Sequence, residues 1–125
     1  MRKKLKKFKI LSQQKRYRRK LSVRAKIIGS AERPRICAIR SNKHLAIQVV
    51  DDVACKTLLA FNTFGKKSVS KGLSGMEGAK VVGVKLAEEL KKKGFERAVF
   101  DRNGRPYAGV LSALVDSLRQ NGISI

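Results

Sequence analysis

The stretch RPRICAIRSNKHLAIQVVDD, residues 33–52, decides the fold because it has the pattern of a β-hairpin. Pro34 stops a preceding helix and favours an extended backbone just before it. Residues 36–40 are almost continuously apolar, which predicts a strand that is covered on both faces. In residues 44–50 Leu, Ile and Val alternate with other side chains, which predicts a strand with one apolar face. The short polar link at residues 41–43 favours antiparallel pairing of the two strands.

The segment after this hairpin predicts a third strand and then a helix. Residues 51–54 form a second short polar link, and residues 55–63 are the third strand-like run. Ser74 and Glu77 have the spacing of a capping box at a helix N-terminus, and Gly94 is placed to end that helix. Between them apolar residues recur at three- and four-residue spacing, which predicts a buried face made of Ala79, Val82, Leu86 and Leu90.

The C-terminal part of the chain predicts one more strand and one more helix. Residues 97–101 read as the fourth strand, and residues 102–104 turn the chain. The last helix ends before Gly122 and is expected to bury Leu111, Leu114, Val115 and Leu118. A crossover through a helix usually returns the chain parallel to a neighbouring strand. The predicted class is therefore α/β, a mixed four-stranded sheet made of a three-strand antiparallel meander and a parallel fourth strand, with helices packed on it.

The charge of the chain is extreme and unevenly placed. Thirty Lys and Arg against nine Asp and Glu give a formal net charge of +21 over 125 residues, whereas solubility needs a magnitude of only about 2–8. Residues 1–28 contain thirteen of these cations and no acid, but residues 36–125 contain fifteen cations and eight acids. This distribution predicts a basic arm at residues 1–32 and a folded domain at residues 33–125, with a polyanion, most commonly nucleic acid, as the partner.

The arm can form a helix over residues 12–28, since no Gly or Pro occurs before Gly29. Its like charges repel, so it is expected to be partly or wholly disordered until phosphates neutralise it. A second interpretation is a membrane-active amphipathic segment, suggested by Leu5, Phe8, Leu11 and Leu21 among the lysines. A third is non-specific compaction of DNA, which would show no preference for structured RNA.

The residues that catalysis or metal binding would need are not brought together by any spacing in the sequence. Asp51 and Asp52 lie in a predicted turn, where Asp is common for backbone reasons, and Asp101 has no evident carboxylate partner. The lone histidine cannot form a His-rich metal site. Cys37 and Cys55 lack zinc-ligand spacing, and they are expected to be reduced, apolar or strand-like residues of a cytosolic protein. No apolar run approaches the roughly 20 residues of a membrane span. We therefore predict that the protein is not an enzyme and uses no cofactor, metal or small-molecule substrate.

Four stretches resemble one protein family. RPRICAIRSNKHLAIQVVDD at residues 33–52 closely resembles the signature of the bacterial large-subunit ribosomal protein numbered eighteen, and FDRNGRPYAG at residues 100–109 resembles its C-terminal motif. LAEELKKKG at residues 86–94 and RYRRKL at residues 16–21 fit the same family in the same order. The resemblance implies a three-layer domain related to the ribonuclease-H-like fold, without its nuclease site. It implies binding to 5S ribosomal RNA and attachment of that RNA to 23S ribosomal RNA in the central protuberance of the cytoplasmic large (50S) subunit, near ribosomal protein five. A small-subunit ribosomal protein of related fold is the alternative within this class.

The charge pattern and the resemblance together name the expected RNA-binding residues. The arm is expected to neutralise phosphates with Lys3, Lys4, Lys6, Lys7, Lys15, Arg16, Arg18, Arg19, Lys20 and Arg24. The first hairpin, which matches the family motif, is expected to read RNA shape, 2′-hydroxyls or unpaired bases with Arg33, Arg35, Arg40, Ser41, Asn42, Lys43, His44 and Gln48. The Gly-rich loop at residues 64–75 is expected to add Lys66, Lys67 and Lys71. The C-terminal corner, residues 102–107, contributes Arg102, Asn103, Arg105 and Tyr107.

Two of these side chains also have a simpler interpretation. His44 could merely satisfy the backbone at the end of a turn. Tyr107 could stack on a base or pack against the domain. The chain also departs from the family after Tyr107, where relatives typically have His-Gly-Arg and this sequence has Ala108, Gly109 and Val110. RNA contacts made by that histidine and arginine therefore cannot be transferred to Ala108 or Val110.

Overall fold

A computed structural model describes residues 11–41, 44–62 and 75–125. Its elements, in chain order, are α1 (Leu11–Lys26), β1 (Arg35–Arg40), β2 (Leu45–Asp51), β3 (Lys56–Asn62), α2 (Gly75–Lys92), β4 (Val99–Asp101) and α3 (Val110–Gln120). The predicted order of three strands, a helix, a strand and a helix is confirmed, and the helix expected in the arm is present as α1.

The four strands form one mixed sheet in the order β3-β2-β1-β4. β1 and β2 pair antiparallel with Ile36 opposite Val49, and β2 and β3 also pair antiparallel. β4 pairs parallel to β1, with Ile36 beside Phe100. A bulge between Val49 and Val50 shifts the register of β3 against β2. The predicted meander and the parallel fourth strand are therefore both confirmed.

The hydrophobic core lies between one face of the sheet and the two domain helices. Buried apolar side chains come from alternating positions of β1 and β2, from α2 and from α3, and they form a single cluster that includes Ile36, Ala38, Leu45, Ile47, Val49, Val82, Leu86, Leu90, Leu111, Leu114 and Leu118. Because α2 and α3 share this face, the other face of β1 has less cover. Ile39 is 44% exposed there, so the prediction that β1 is covered on both faces is wrong.

The two domain helices cross at a close contact. A Cβ on Gly83 would lie 2.6 Å from both the Cβ and the Oγ of Ser117. The Ser117 hydroxyl donates to the Lys80 carbonyl at 3.0 Å, which ties α3 to α2 at this point. α2 ends as predicted, since Gly94 adopts a φ of 82° and Phe95 N–H donates to the Leu90 carbonyl at 2.9 Å. Of the predicted capping box, Glu77 lies in the first turn of α2, whereas Ser74 lies outside the described residues.

Strand boundaries differ from the prediction at two places. β4 begins at Val99 rather than residue 97, because Arg97 forms a parallel bridge with Ser124 instead of continuing the strand. Cys55 was expected to begin the third strand in an apolar or strand-like setting, but it is exposed in the β2–β3 turn with a φ of 56°. The turn forms there because the Asp51 carboxylate accepts hydrogen bonds from the two backbone N–H groups that follow Asp52.

The third layer implied by the resemblance is not supplied by α2 or α3, which both lie on the core face. Helix α1 contacts the turn after β2 through Arg24 and Asp52. The mixed α/β architecture is established; the relation to the ribonuclease-H-like fold and the division at residue 32 remain predictions.

Candidate nucleic-acid interface

Helix α1 carries its cations on the outside. None of its sixteen residues is buried, and the basic side chains of Lys15, Arg16, Arg18, Arg19 and Lys20 are all exposed. Arg24, near the end of the helix, is only one-third exposed because it points towards Asp52. Five of the predicted arm cations are therefore exposed to a ligand, whereas Arg24 is mostly covered by the protein. Lys3, Lys4, Lys6 and Lys7 lie outside the described residues.

α1 runs against the C-terminal corner. Arg19 Nε donates to the carbonyl oxygen of Gly104 at 3.1 Å. Gly104 adopts a φ of 75°, and a Cβ there would collide with the carbonyl oxygen of Arg16, so a residue with a side chain would hold the helix away. The contact leaves a groove of about 250 Å³ that is lined by Gln13, Arg16, Tyr17, Lys20 and Asn103.

This groove identifies two residues that the sequence analysis missed. Gln13 and Tyr17 line it beside the predicted Arg16, Lys20 and Asn103. Arg16, Tyr17 and Lys20 follow Gln13 by three, four and seven residues, and this spacing places all four on one face of a helix. The Oδ1 atom of Asn103 is buried and accepts no hydrogen bond from the residues that the structure describes.

Arg16 of α1, Arg40 at the end of β1 and Arg105 of the C-terminal corner, which we call the arginine cluster, lie near enough for the first two charges to act on the third. The pKa of Arg105 is lowered, first by burial and then by the positive charges of Arg16 and Arg40. Within the described ranges, none of these three arginines forms an ion pair. The cluster is a concentration of uncompensated positive charge, which a phosphate group would stabilise.

The C-terminal corner is held by its own hydrogen bonds. Asn103 N–H donates to the Asp101 carboxylate at 2.9 Å, and Arg102 donates from Nη1 to the carbonyl of Arg105 at 3.0 Å. Tyr107 meets Phe100 edge to face with ring centroids 6.4 Å apart, yet it is 47% exposed. Tyr107 thus packs partly against the domain and leaves part of its side chain exposed to a ligand.

The tip of the first hairpin is compact. Ser41 N–H donates to the His44 carbonyl at 2.9 Å, and the Ser41 hydroxyl accepts from His44 N–H at 3.1 Å. The Ser41 and His44 side chains and Gln48 are exposed. Asn42 and Lys43 lie outside the described residues, as do Lys66, Lys67 and Lys71 of the Gly-rich loop. Arg33 is exposed in the preceding turn, where its N–H donates to the Ser30 hydroxyl at 3.1 Å.

Arg35 has a different environment from the other predicted RNA-binding residues. Its Nε and Nη2 donate to the two carboxylate oxygens of Asp52 at 3.0 and 3.1 Å, and its Nη1 donates to Asp101 Oδ2 at 2.8 Å. Its side chain is only 11% exposed. Burial by itself would lower the pKa of Arg35, but the hydrogen bond and charge of Asp52 raise it overall. Three of the five N–H donors of Arg35 are therefore used inside the protein, and Arg35 is not part of the proposed RNA surface.

Asp52 and Asp101 are likewise explained by these ion pairs. Asp52 lies in the turn after β2, as predicted, and its carboxylate also pairs with Arg24 and Arg35. Asp101, for which the sequence shows no carboxylate partner, pairs with Arg35. The pKa of Asp52 lies below its ordinary value, chiefly because of the hydrogen bond from Arg35. Among the described residues no group of three or more His, Cys, Asp or Glu could hold a metal ion, and no described helix is long and apolar enough to cross a membrane.

Comparison with known proteins identifies the family of this chain. Residues 10–125 match the family described as Ribosomal L18 of archaea, bacteria, mitochondria and chloroplast. The chain belongs to this family. The Large ribosomal subunit protein uL18 of Helicobacter pylori strain G27 is 46% identical over 110 residues, which cover 88% of this chain and 90% of the relative. The proteins of the same name from Treponema denticola (45% over 109 residues, 87% and 90% covered) and Campylobacter jejuni strain 81-176 (47% over 110 residues, 88% and 90% covered) are similarly close.

Membership in the Ribosomal L18 family decides between catalysis and binding. The family consists of structural ribosomal proteins and the chain is not an enzyme. The match begins at residue 10 and so includes all of α1, the hairpin and the C-terminal corner. The elements that form the arginine cluster are therefore part of the family fold.

Proposed function

We propose that this chain is an RNA-binding component of the large (50S) ribosomal subunit in the cytoplasm. It binds 5S ribosomal RNA and helps attach it to 23S ribosomal RNA in the central protuberance, next to ribosomal protein five. The names of the bacterial relatives support the assignment to the large subunit. The motifs at residues 33–52 and 100–109 support the choice of 5S RNA.

The observation that carries the proposal is the arginine cluster. Arg16, Arg40 and Arg105 come from three separate parts of the chain, and Arg105 is partly desolvated beside two other positive charges. Such an arrangement is electrostatically unfavourable in the free protein. It becomes favourable when phosphates enter, because counterions are released from the RNA and the repulsion is screened.

The other proposed RNA-binding residues divide by the contacts that they can make. Phosphate neutralisation is assigned to the exposed cations of α1 and to the lysines of the arm before it. Contacts to bases and 2′-hydroxyls are assigned to polar or aromatic groups at the hairpin tip and the C-terminal corner, namely Ser41, Asn42, His44, Gln48, Asn103 and Tyr107. Arg33, Lys43, Lys66, Lys67, Lys71 and Arg102 remain proposed backbone contacts.

The test is binding to 5S ribosomal RNA over a series of salt concentrations, with an unrelated structured RNA as competitor. The double variant Arg40→Gln/Arg105→Gln removes two charges of the arginine cluster and should weaken binding at least about tenfold, with the salt slope reduced by about two. The matched control is Lys85→Gln/Lys93→Gln, which removes two exposed charges from α2 and the residues just after it. This control should change the affinity by less than about twofold.

The result separates the candidate functions. Equal weakening by both double variants would show that total charge rather than the arginine cluster determines binding. Equal affinity of the unaltered protein for 5S RNA, unrelated RNA and duplex DNA would reject the 5S assignment and favour non-specific compaction. A preference for 16S over 5S RNA would favour the small-subunit alternative.

A further inference from the structure

Asp52 is a meeting point of the arm and the domain. Its Oδ2 accepts a hydrogen bond from the backbone N–H of Gly29 at 2.7 Å. Arg24 of α1 approaches the same carboxylate with Nη1 and Nη2 at 3.4 and 3.5 Å, while Arg35 of β1 forms the shorter pair at 3.0 and 3.1 Å. One carboxylate therefore joins the end of α1, the connecting segment and the first strand.

The connecting segment has little freedom at this point. Asp52 N–H donates in return to the carbonyl of Gly29 at 3.1 Å, so the two residues are joined by two hydrogen bonds. A Cβ on Gly29 would lie 2.6 Å from the Val50 carbonyl and 2.7 Å from the Arg35 nitrogen. Only glycine allows the connecting segment to lie this close to the sheet, which fixes the position at which the arm leaves the domain.

Helix α1 has little hydrophobic burial to hold it in place. The helix has no buried residue, and Leu11 and Leu21 are exposed. Its described contacts with the domain include the Arg19 hydrogen bond to Gly104 at the C-terminal corner and the Arg24 pair with Asp52 near its C-terminal end. Since the arginine cluster needs α1 beside the corner, these polar contacts help to form the cluster before RNA arrives.

We propose that Asp52 is a positioning residue for RNA binding, which holds α1 through Arg24 and Gly29 so that α1 and the C-terminal corner form one prearranged RNA surface. This inference rests on the proposed function. From net charge alone, removing an acid from a protein of charge +21 should strengthen its binding to a polyanion. The positioning role predicts the opposite result. If Asp52 positions α1, its removal instead weakens binding, since the RNA must then order the arm.

The first test compares two variants of the full chain that each remove one negative charge. Asp52→Asn should bind 5S RNA about tenfold more weakly and lose most of its preference over unrelated structured RNA, because non-specific phosphate contacts need charge but no fixed geometry. Asp116→Asn is the matched control, since Asp116 is an exposed acid on α3. It should bind 5S RNA as well as the unaltered protein, or up to about twofold more tightly.

The second test removes the partner of Asp52 on the arm and remains informative even if Asp52→Asn is destabilised. Arg24→Gln breaks the contact with α1 but leaves the Arg35–Asp52 pair intact, and Lys26→Gln removes an exposed charge two residues away. Arg24→Gln should reduce the 5S preference more than Lys26→Gln does. In the Asp52→Asn background, Arg24→Gln should cause little further loss of 5S binding. Lys26→Gln should weaken binding there as much as it does in the unaltered protein.

Hydrogen exchange of the free protein provides an independent measurement. In Asp52→Asn the amide of Gly29 and those near the end of α1 should exchange about tenfold faster, while the paired amides of β1 and β2 keep their protection. Tight and selective 5S binding by Asp52→Asn, like that of Asp116→Asn, would overturn the positioning role and leave the proposed function intact. Absence of any 5S preference in the unaltered protein would instead reject the proposed function.

Discussion

Arg35 and Asp101 are joined by an ion pair of 2.8 Å between Nη1 and Oδ2, and the Asp101 side chain is completely buried. The pair bridges β1 and β4, the only parallel neighbours among the described strands. Asp101 also accepts the N–H of Asn103 at 2.9 Å, so the same carboxylate sets the turn into the C-terminal corner. The ion pair thus connects the sheet with the surface proposed to bind RNA.

Removing the charge of Asp101 should destabilise the protein strongly. Asp101→Asn leaves a guanidinium of low exposure without one of its two carboxylates, and we expect a loss of about 2–4 kcal/mol in the free energy of unfolding. The measurement is chemical denaturation followed by circular dichroism. The control is Glu89→Gln, which breaks the exposed pair with Lys92 and should cost less than about 0.5 kcal/mol. A similar small loss for both variants would show that the buried pair contributes no more than a surface pair.

The stability of the protein should depend on the ionisation of Asp52. The hydrogen bond from Arg35 lowers the pKa of this carboxyl from its ordinary value of 3.8. The ionised carboxylate therefore stabilises the folded protein above that pH, and this stabilisation is lost as the pH falls through the lower pKa of the folded state. The difference in unfolding free energy between the unaltered protein and Asp52→Asn should therefore be largest near neutral pH and shrink below about pH 4. Denaturation at several pH values measures this difference, and a constant difference down to about pH 2 would contradict the assignment.

The crossing of α2 and α3 should not tolerate a methyl group at Gly83. Replacing a helical glycine by alanine usually stabilises by up to about 1 kcal/mol, but the new Cβ would lie 2.6 Å from the Ser117 side chain. We expect Gly83→Ala to reduce the free energy of unfolding by about 1–3 kcal/mol, because the helices must move apart. Val84→Ala, at the exposed neighbouring position, should change it by less than about 1 kcal/mol. Stabilisation by Gly83→Ala would show that the crossing adjusts at little cost.

The two cysteines should react at different rates. Cys55 is exposed in the β2–β3 turn, whereas burial and then the negative charge of Asp101 raise the pKa of the half-buried Cys37 thiol. A thiol reagent at about pH 8 should therefore modify Cys55 at least about tenfold faster than Cys37. Mass spectrometry identifies the modified residue, and Cys55→Ser should abolish the fast phase. Equal modification rates of the two thiols are expected in denaturant. Equal rates in the native protein would contradict the burial of Cys37.

The regular elements could be predicted because their signals are local. Alternation in residues 44–50 identified the buried face of β2, and the spacing of Val82, Leu86 and Leu90 identified that of α2. Boundaries were less accurate where distant segments compete for the same backbone groups. Arg97 pairs with Ser124 rather than extending β4, and Ile39 is partly exposed because both domain helices pack on the opposite face.

The candidate site was predictable in composition but not in geometry. The basic arm, the hairpin and the C-terminal corner were all identified from charge and motif. The sequence could not show that Arg35 is used internally, since Asp101 lies 66 residues away from it along the chain. Nor could it distinguish Asp51, which caps its own turn, from Asp52, which binds Arg24 from 28 residues away.

Sequence alone determined the class of this protein, because charge excess, helical and strand periodicity and family motifs are properties of residues and their near neighbours. Tertiary structure alone decided which cations are free to meet RNA. Ion pairing depends on which side chains are brought within a few ångströms, and that is set by the register of the sheet and the path of the arm. The same residue type therefore stabilises the fold at Arg35 and presents uncompensated charge at Arg105.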